Sequence, residues 1–244
     1  MNRFFLPPSA FQDETILFPP DVSTQIARVL RLTESEHVVV LDNLGSAYEV
    51  QLDEISAKDT RGTVIRKFAA GNEPRVHLTL LICLTQREKF EWILQKGTEL
   101  GVSAFLPVLT SRTLVQKLDD GSAKTERWLK ILKEAAEQSE RGRIPVLLPA
   151  AQLKNALASD APGLNLILNA DESQVNLVQA LKTYSSLSNV RMLIGPEGGF
   201  STDEVQLAQA AGYISVRLGP RILRMETAAI AAVAVTMAEL GEME

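Results

Sequence analysis

The hydrophobic rhythm of this chain changes once, near residue 74, and that change restricts the fold more than any single motif. Before it, the pattern is that of half-buried strands. The run Val38-Val39-Val40-Leu41, within Glu36–Leu41, is followed by the turn residues Asp42-Asn43-Leu44-Gly45. Tyr48, Val50 and Leu52 then alternate with Glu49, Gln51 and Asp53, the period of an antiparallel strand with one wet face. A third strand is expected over Arg61–Phe68. Ahead of these, Asp21–Leu32 carries Val22, Ile26, Val29 and Leu30 at helical spacing. Residues 69–74 read as a linker, so residues 1–72 form a small β domain.

From Arg75 onward, apolar runs alternate with helical stripes. Val76–Leu84 has no wet face, as expected of a strand covered on both sides. Further strands are expected at Ala104–Leu109, Ile144–Leu148, Leu164–Leu168, Val190–Ile194 and Ile214–Leu218. Helices fall near Arg87–Leu100, Lys124–Glu140, Ser173–Tyr184, Thr202–Ala211 and Glu226–Leu240. Ser201-Thr202-Asp203-Glu204 is a capping box, in which Ser201 accepts from the Glu204 amide and the Glu204 carboxylate reaches back. Strict alternation of this kind predicts an α/β domain over residues 73–244, a mostly parallel sheet with helices on both faces.

Composition removes several classes of function. The single cysteine, Cys83, excludes a disulfide framework and a cysteine-based metal cluster. The two histidines, His37 and His77, sit in apolar strand-like runs, where a core or strand role is the simpler reading than a triad or a zinc centre; no metal is expected. The first residues lack the apolar stretch of a signal peptide, and Ala228–Val235 is far too short to span a membrane, so a soluble cytoplasmic protein is expected. The net charge of −5 divides into −3 over residues 1–72, +2 over 73–147 and −4 over 148–244. No segment is basic enough to bind nucleic acid by its field alone, so any RNA contact has to come from local arginines.

In an open parallel sheet, ligands sit beyond the carboxyl ends of the strands. Three successive strands here end in unusual loops: Leu168–Glu172, Ile194–Ser201 and Leu218–Thr227. The last two repeat an apolar residue, Gly, Pro and a charged residue 24 positions apart: Ile194-Gly195-Pro196-Glu197 and Leu218-Gly219-Pro220-Arg221. Proline makes the chain leave each strand stiffly, and Gly198 and Gly199 let a ligand approach the backbone. A glycine-rich turn that merely starts a helix explains one such loop as well as a site does; two matched loops on one edge favour a site. Neither dinucleotide nor triphosphate fingerprints occur, so a compact, adenosine-bearing ligand suits the loops better. Arg217, Arg221 and Arg224 stand close together in an acidic segment. They either pair with Glu197 or Glu226, or recognise an anion or a nucleobase. The small-residue run Thr227–Ala238 reads as a buried helix that also suits packing across a dimer.

The paired loops, with Leu223-Arg224-Met225-Glu226-Thr227-Ala228, resemble the signature of the SPOUT methyltransferases and, more narrowly, the RsmE family of 16S ribosomal RNA uridine-N3 methyltransferases. Phe90–Val102, Glu134–Ser139, Arg3-Phe4-Phe5 and Val29-Leu30-Arg31 resemble family segments too, so the likeness spans nearly the whole chain. Met225 stands where a threonine is common, and the stretch before Val29 lacks histidines often found there. The resemblance implies a PUA-like β-barrel for RNA, a trefoil knot in the α/β domain, a homodimer, and S-adenosylmethionine held by the knot. By position, the cofactor residues are Leu168, Asn169, Ala170, Ile194, Gly195, Pro196, Glu197, Gly198, Gly199, Leu218, Gly219, Ile222, Leu223, Met225 and Thr227.

The implied reaction is attack of a uridine N3 on the sulfonium methyl, in small-subunit RNA or the assembled 30S subunit. Arg224 and then Arg221 are the candidates for stabilising the developing anion, and Glu226 for taking the proton. Arg3, Arg28, Arg31, Arg87, Lys89, Arg141 and Arg143 are candidate RNA contacts, though each is also an ordinary surface charge. Two alternatives stand beside this reading. One is a SPOUT methyltransferase for ribose 2′-oxygen or transfer RNA; the other is a non-catalytic RNA-binding protein.

Overall fold

The computed structural model of the chain describes residues 1–113, 122–158, 163–172, 174–184 and 187–243. They group into two compact units, Met1–Glu73 with Ala136–Ile144, and Pro74–Ala135 with Pro145–Glu244. The chain therefore contributes to the first unit twice, which the change of rhythm near residue 74 does not reveal.

The first unit holds β1 (Arg3–Phe5), β2 (Phe11–Gln12), β3 (Thr15–Phe18), α1 (Pro20–Thr24), β4 (His37–Leu41), β5 (Ser46–Glu54) and β6 (Thr60–Ala69). The six strands make one curled half-barrel sheet in the order β1-β4-β5-β6-β3-β2. Its pairs are antiparallel except β1 with β4, which places Phe4 beside Val40 and Phe5 beside Leu41. Side chains alternate about β4. Val38 and Val40 join Phe4, Ile16, Val50 and Leu52 in one core. Val39 and Leu41 join Phe5, Ala47 and Ala136 in another. That two-sided burial is why Val38–Leu41 is apolar without interruption, each such side chain contributing about 1.5–3 kcal/mol.

Of the expectations for this unit, one is corrected, one extended and one met. The helix expected over Asp21–Leu32 is α1 followed by one π-helical turn, Gln25–Leu30, which Arg31 ends in the left-handed conformation at φ 53°. The wider turn rotates the later residues off the stripe: Val22 and Ile26 are buried, but Val29 is 71% exposed. The supposed linker is anchored. The Glu73 carboxylate accepts from both Nε and Nη2 of Arg141, at 3.2 and 2.7 Å, and from the amides of Gly142 and Arg143, at 3.0 Å each. His37 takes the strand role of the two expected: it opens β4, exposed, with Nδ1 2.8 Å from Glu49 Oε1. His77 opens its strand in the second unit and is exposed as well.

The second unit follows as β7 (His77–Cys83), α2 (Arg87–Glu99), β8 (Ala104–Leu109), α3 (Ser122–Gln138), β9 (Val146–Leu147), β10 (Ala151–Gln152), α4 (Leu153–Leu157), β11 (Leu164–Leu168), α5 (Leu177–Thr183), β12 (Asn189–Ile194), α6 (Thr202–Ala210), β13 (Ile214–Val216) and α7 (Met225–Glu239); the end of α3, from Ala136, belongs to the first unit. Every strand pair of the sheet is parallel, in the order β10-β8-β7-β12-β11-β13, with β9 also on β8. The strand expected at Ile144–Leu148 is cut short because Pro145 and Pro149 flank it, and β10 continues the same edge. α5 begins at Leu177 under an Asn176 capping box, later than expected, and Ser173 lies outside the described residues.

Helix α7 packs on α2, α5 and β12, whereas α4 packs on β8 and α6, and α6 on β13. The steps from β7 to β8 and from β11 to β12 run one way across the sheet, and that from β12 to β13 runs the other. Right-handed crossovers then place α2 and α5 on one face and α6 on the opposite one. The register matters most for function. Leu168 sits beside both Ile194 and Val216, and Ile194 beside Ile82, so these strands end level.

In β6, Gly62 lies across from both Leu52 and Ile16. A Cβ there falls 2.5 Å from the Gln51 carbonyl oxygen, a backbone atom that cannot step aside. Gly62→Ala is expected to destabilise the protein by about 1–3 kcal/mol in chemical denaturation, despite alanine's smaller entropy cost.

Candidate active site

Because the strands end level, the loops that follow β11, β12 and β13 begin side by side, and they enclose a cavity of about 520 Å³. The first loop is tied to β13: the Asn169 amide donates to the Val216 carbonyl at 2.9 Å and its Nδ2 to Ser215 Oγ at 3.4 Å. Its Oδ1 accepts from the Asp171 amide at 3.1 Å, closing a turn. The last loop starts from a fixed point as well. The Arg217 amide donates to Val175 and its carbonyl accepts from Leu177, at 3.1 and 3.0 Å.

The middle loop is held from several sides. Gly199 turns back to donate to the Pro196 carbonyl at 2.9 Å, with φ at +66°, a conformation that glycine adopts without strain. A Cβ on Gly195 falls 2.8 Å from the Phe200 ring, so the absence of a side chain there lets the ring close over the loop. Arg112, in the turn after β8, donates from Nη1 to the carbonyls of Gly198 and Phe200, at 3.0 and 3.3 Å. Ser201 caps α6 as expected, and its partner Glu204 does more than cap. Glu204 Oε2 accepts from the Ser201 amide at 2.9 Å, and Oε1 accepts from the amide and hydroxyl of Ser111, at 2.8 and 2.9 Å.

Glu204 and Glu197 are held toward the charged form for the same reason. Burial pushes the Glu204 carboxyl up, but the donors on Ser201 and Ser111, with the Arg112 charge, outweigh it and hold it below its usual value. Burial likewise pushes Glu197 up, while Thr85, its own amide and Lys89 bring it below. The Thr85 hydroxyl and Lys89 Nζ, the latter at 3.0 Å, share Glu197 Oε1.

The cavity brings together nearly every expected cofactor residue. Leu168, Asn169 and Ala170 line it from the first loop, Ile194–Gly199 from the second, and Leu218, Gly219, Ile222, Leu223 and Met225 from the third. Thr227, one turn into α7, is not in the lining. Arg221 and Arg224 line it, exposed, and Glu226 does not; its Oε2 is buried without a partner. The expected pairing of the arginines with Glu197 or Glu226 is not found. Among the described residues, Arg217, Arg221 and Arg224 have no side-chain partner, because Thr85 and Lys89 already occupy Glu197.

The expected RNA contacts scatter. Lys89 lines the cavity, Arg87 pairs with Glu91 at 2.9 Å on α2, and Arg28 and Arg31 are exposed without partners in the first unit. Arg3 reaches Glu140 at 3.4 Å and Arg143 donates to the Leu44 carbonyl at 3.2 Å. Arg141 is 3% exposed and given over to Glu73. Sequence reasoning missed Arg112 as a lining residue; Asp171 and Phe200 lay within the loops it named and Arg217 among the three arginines, but none of the three was assigned to the cofactor. Arg112 follows a strand's carboxyl end, a position that was itself a signal.

The profile of the RNA methyltransferase domain family matches residues 72–237. The ribosomal RNA small subunit methyltransferase E of Bacillus subtilis is 32% identical over 240 residues, covering 93% of each chain. The Synechocystis protein of the same name is 33% identical, covering 95% of this chain and 76% of its own. Among solved structures, the Neisseria gonorrhoeae methyltransferase E bound to S-adenosyl methionine superposes with a TM-score of 0.87 at 30% identity, over 98% of this chain and 97% of that one. A Legionella pneumophila putative methyltransferase holding the same cofactor gives a TM-score of 0.87 at 29% identity, over 97% and 96%.

Glu204 sets a pH dependence on the loop. Its folded value lies below the ordinary 4.5, so its stabilisation is full above that value and is lost as pH falls through the folded one. Glu204→Gln should therefore lower unfolding free energy by about 1 kcal/mol at neutral pH, with the difference from wild type shrinking as pH falls below the ordinary carboxylate value.

Proposed function

As the chain belongs to the ribosomal RNA small subunit methyltransferase E family, we propose that it methylates uridine N3 in 16S ribosomal RNA, using S-adenosylmethionine held in the three-loop cavity. One observation carries the reading to this chain's own residues: a cavity lined largely by loop backbone opens beside three arginines that have no side-chain partner among the described residues. The cavity's size falls within the range of small-molecule sites. Its walls suit the cofactor. Leu168, Ile194, Leu218 and Leu223 offer apolar surface to a purine, and loop amides and carbonyls offer hydrogen bonds to its edge. Bound there, S-adenosylmethionine supplies an electrophilic methyl group.

The chain's part is to bind, orient and stabilise charge. Arg224, with Arg221 beside it, holds a uracil carbonyl oxygen and stabilises the negative charge that grows as N3 loses its proton. Glu226 stands next to the lining rather than in it, so arginine stabilisation outweighs a carboxylate base in this account. Lys89 and Arg87 meet the RNA near the cavity. Arg28 and Arg31, with Arg3 and Arg143, meet it from residues 1–72 and their associated segment, read as a PUA-like RNA-binding domain ahead of a methyltransferase domain over 73–244. Arg141, buried on Glu73, serves the fold.

The same reading includes a trefoil-knotted cofactor loop, a homodimer and a cytoplasmic location with the ribosome. Ile230, Ala231, Ala234 and Val235, half-buried along α7, supply an apolar helix surface suited to a second copy. Among the described residues, no helix is long and apolar enough to cross a membrane.

The test is methyl transfer to 16S RNA, free and as 30S subunits from cells lacking the modification, with nucleoside mass spectrometry. N3-methyluridine in either substrate is expected, and Arg224→Ala should lower kcat about 10²–10³-fold. Product at a ribose 2′-oxygen or only in transfer RNA contradicts the assignment; no product at all, with RNA still bound, favours a binding protein.

A further inference from the structure

Arg112 lies on no loop that the sequence connects with the cofactor, yet it carries two hydrogen bonds to the middle loop. The consequence lies in the peptide planes. In the Gly198–Gly199 peptide, the carbonyl faces Arg112 and the amide faces the Pro196 carbonyl. In the Phe200–Ser201 peptide, the carbonyl faces Arg112 and the amide faces Glu204. Both planes are fixed at both ends. The peptide between them is not: among the described residues, the Gly199 carbonyl and the Phe200 amide have no partner. One donor and one acceptor thus remain on a loop whose flanks cannot rotate, and Gly199 and Phe200 both line the cavity.

We propose that Arg112 is a positioning residue, clamping the two flanking peptides so that the free Gly199–Phe200 peptide is presented, preorganised, to the cofactor. This rests on the reading of the cavity as an S-adenosylmethionine site. The guanidinium suits the task, since Nη1 sends its N–H groups to both carbonyls from within a rigid plane, an orientation that an ammonium on a flexible stem does not fix. Glu204 completes the clamp from the other side. It holds the amide of Ser111, Arg112's neighbour, along with the Ser201 amide, so the turn after β8 and the loop after β12 are tied at both ends. The loop can then meet its ligand without first being ordered, and that ordering is what otherwise weakens binding.

Calorimetric titration of S-adenosylmethionine into wild type, Arg112→Ala and Arg112→Lys tests this, alongside kinetics on 16S RNA. Losing two charge-assisted hydrogen bonds that hold the loop is expected to weaken cofactor affinity about 10- to 100-fold in Arg112→Ala. Arg112→Lys, which keeps the charge and one donor direction, should recover part of it. The loss should appear in the KM for cofactor and not in the KM for RNA, with the melting temperature of the ligand-free protein unchanged. Unchanged cofactor affinity with a raised KM for RNA overturns the proposal and makes Arg112 a substrate contact. A matching fall in ligand-free melting temperature overturns it too, since Arg112 then serves folding. If wild type itself binds no S-adenosylmethionine, the reading of the cavity fails rather than the role of Arg112.

Discussion

Parallel register is the constraint on which the rest of the site depends. Leu168, Ile194 and Val216 are direct neighbours across β11, β12 and β13, so three loops far apart in sequence start from one level. Slipping any pair by one residue turns its side chains to the other face and staggers the loops. Packing on both faces supports the register: Leu166, Ile167, Met192, Leu193 and Val216 are fully buried, and a slip would move each side chain into the opposite core, where the neighbours do not match its shape. Core packing and ligand geometry are in this sense a single requirement.

Onto that level edge the chain builds a site largely from backbone. Side-chain carboxylate, carboxamide and hydroxyl groups there, on Glu204, Asn169, Ser111 and Thr85, mostly hold protein groups in place. The arginines behave differently. Among the described residues, Arg217, Arg221 and Arg224 find no acid, although the segment around them is acidic overall. Three guanidiniums that face one cavity and spend no donor on an acid are available to an anion or a carbonyl-rich base, and an RNA nucleotide provides both.

How much of this was legible in the sequence varied with the distance between interacting parts. Ala104–Leu109 and Leu164–Leu168 were readable to the residue because continuous apolar runs are a local signal. So was the Ser201 cap, whose partner is three residues away. The short strands Arg3–Phe5 and Thr15–Phe18 were not, since each exists only through partners distant in sequence, β4 and β6. The π-helical turn escaped because one apolar stripe suits either helix until the burial of Val29 is known. At the cavity, Gly and Pro spacing announced the loops, but the clamp on them did not show. Ser111 and Glu204 meet from distant parts of the sequence, as do Arg112 and Gly198, and the charge map gives no hint that Arg112 spends its donors on carbonyls.

The central claim is that loop backbone, not charged side chains, reads the cofactor. Amide spectra of protein labelled with nitrogen-15 in its 14 glycines, collected during titration with S-adenosylmethionine, address it directly. The account predicts that Gly195, Gly198, Gly199 and Gly219 shift saturably, and that Gly45, Gly62 and Gly71 in the first unit do not. Saturable binding that leaves the four loop glycines unmoved would contradict it.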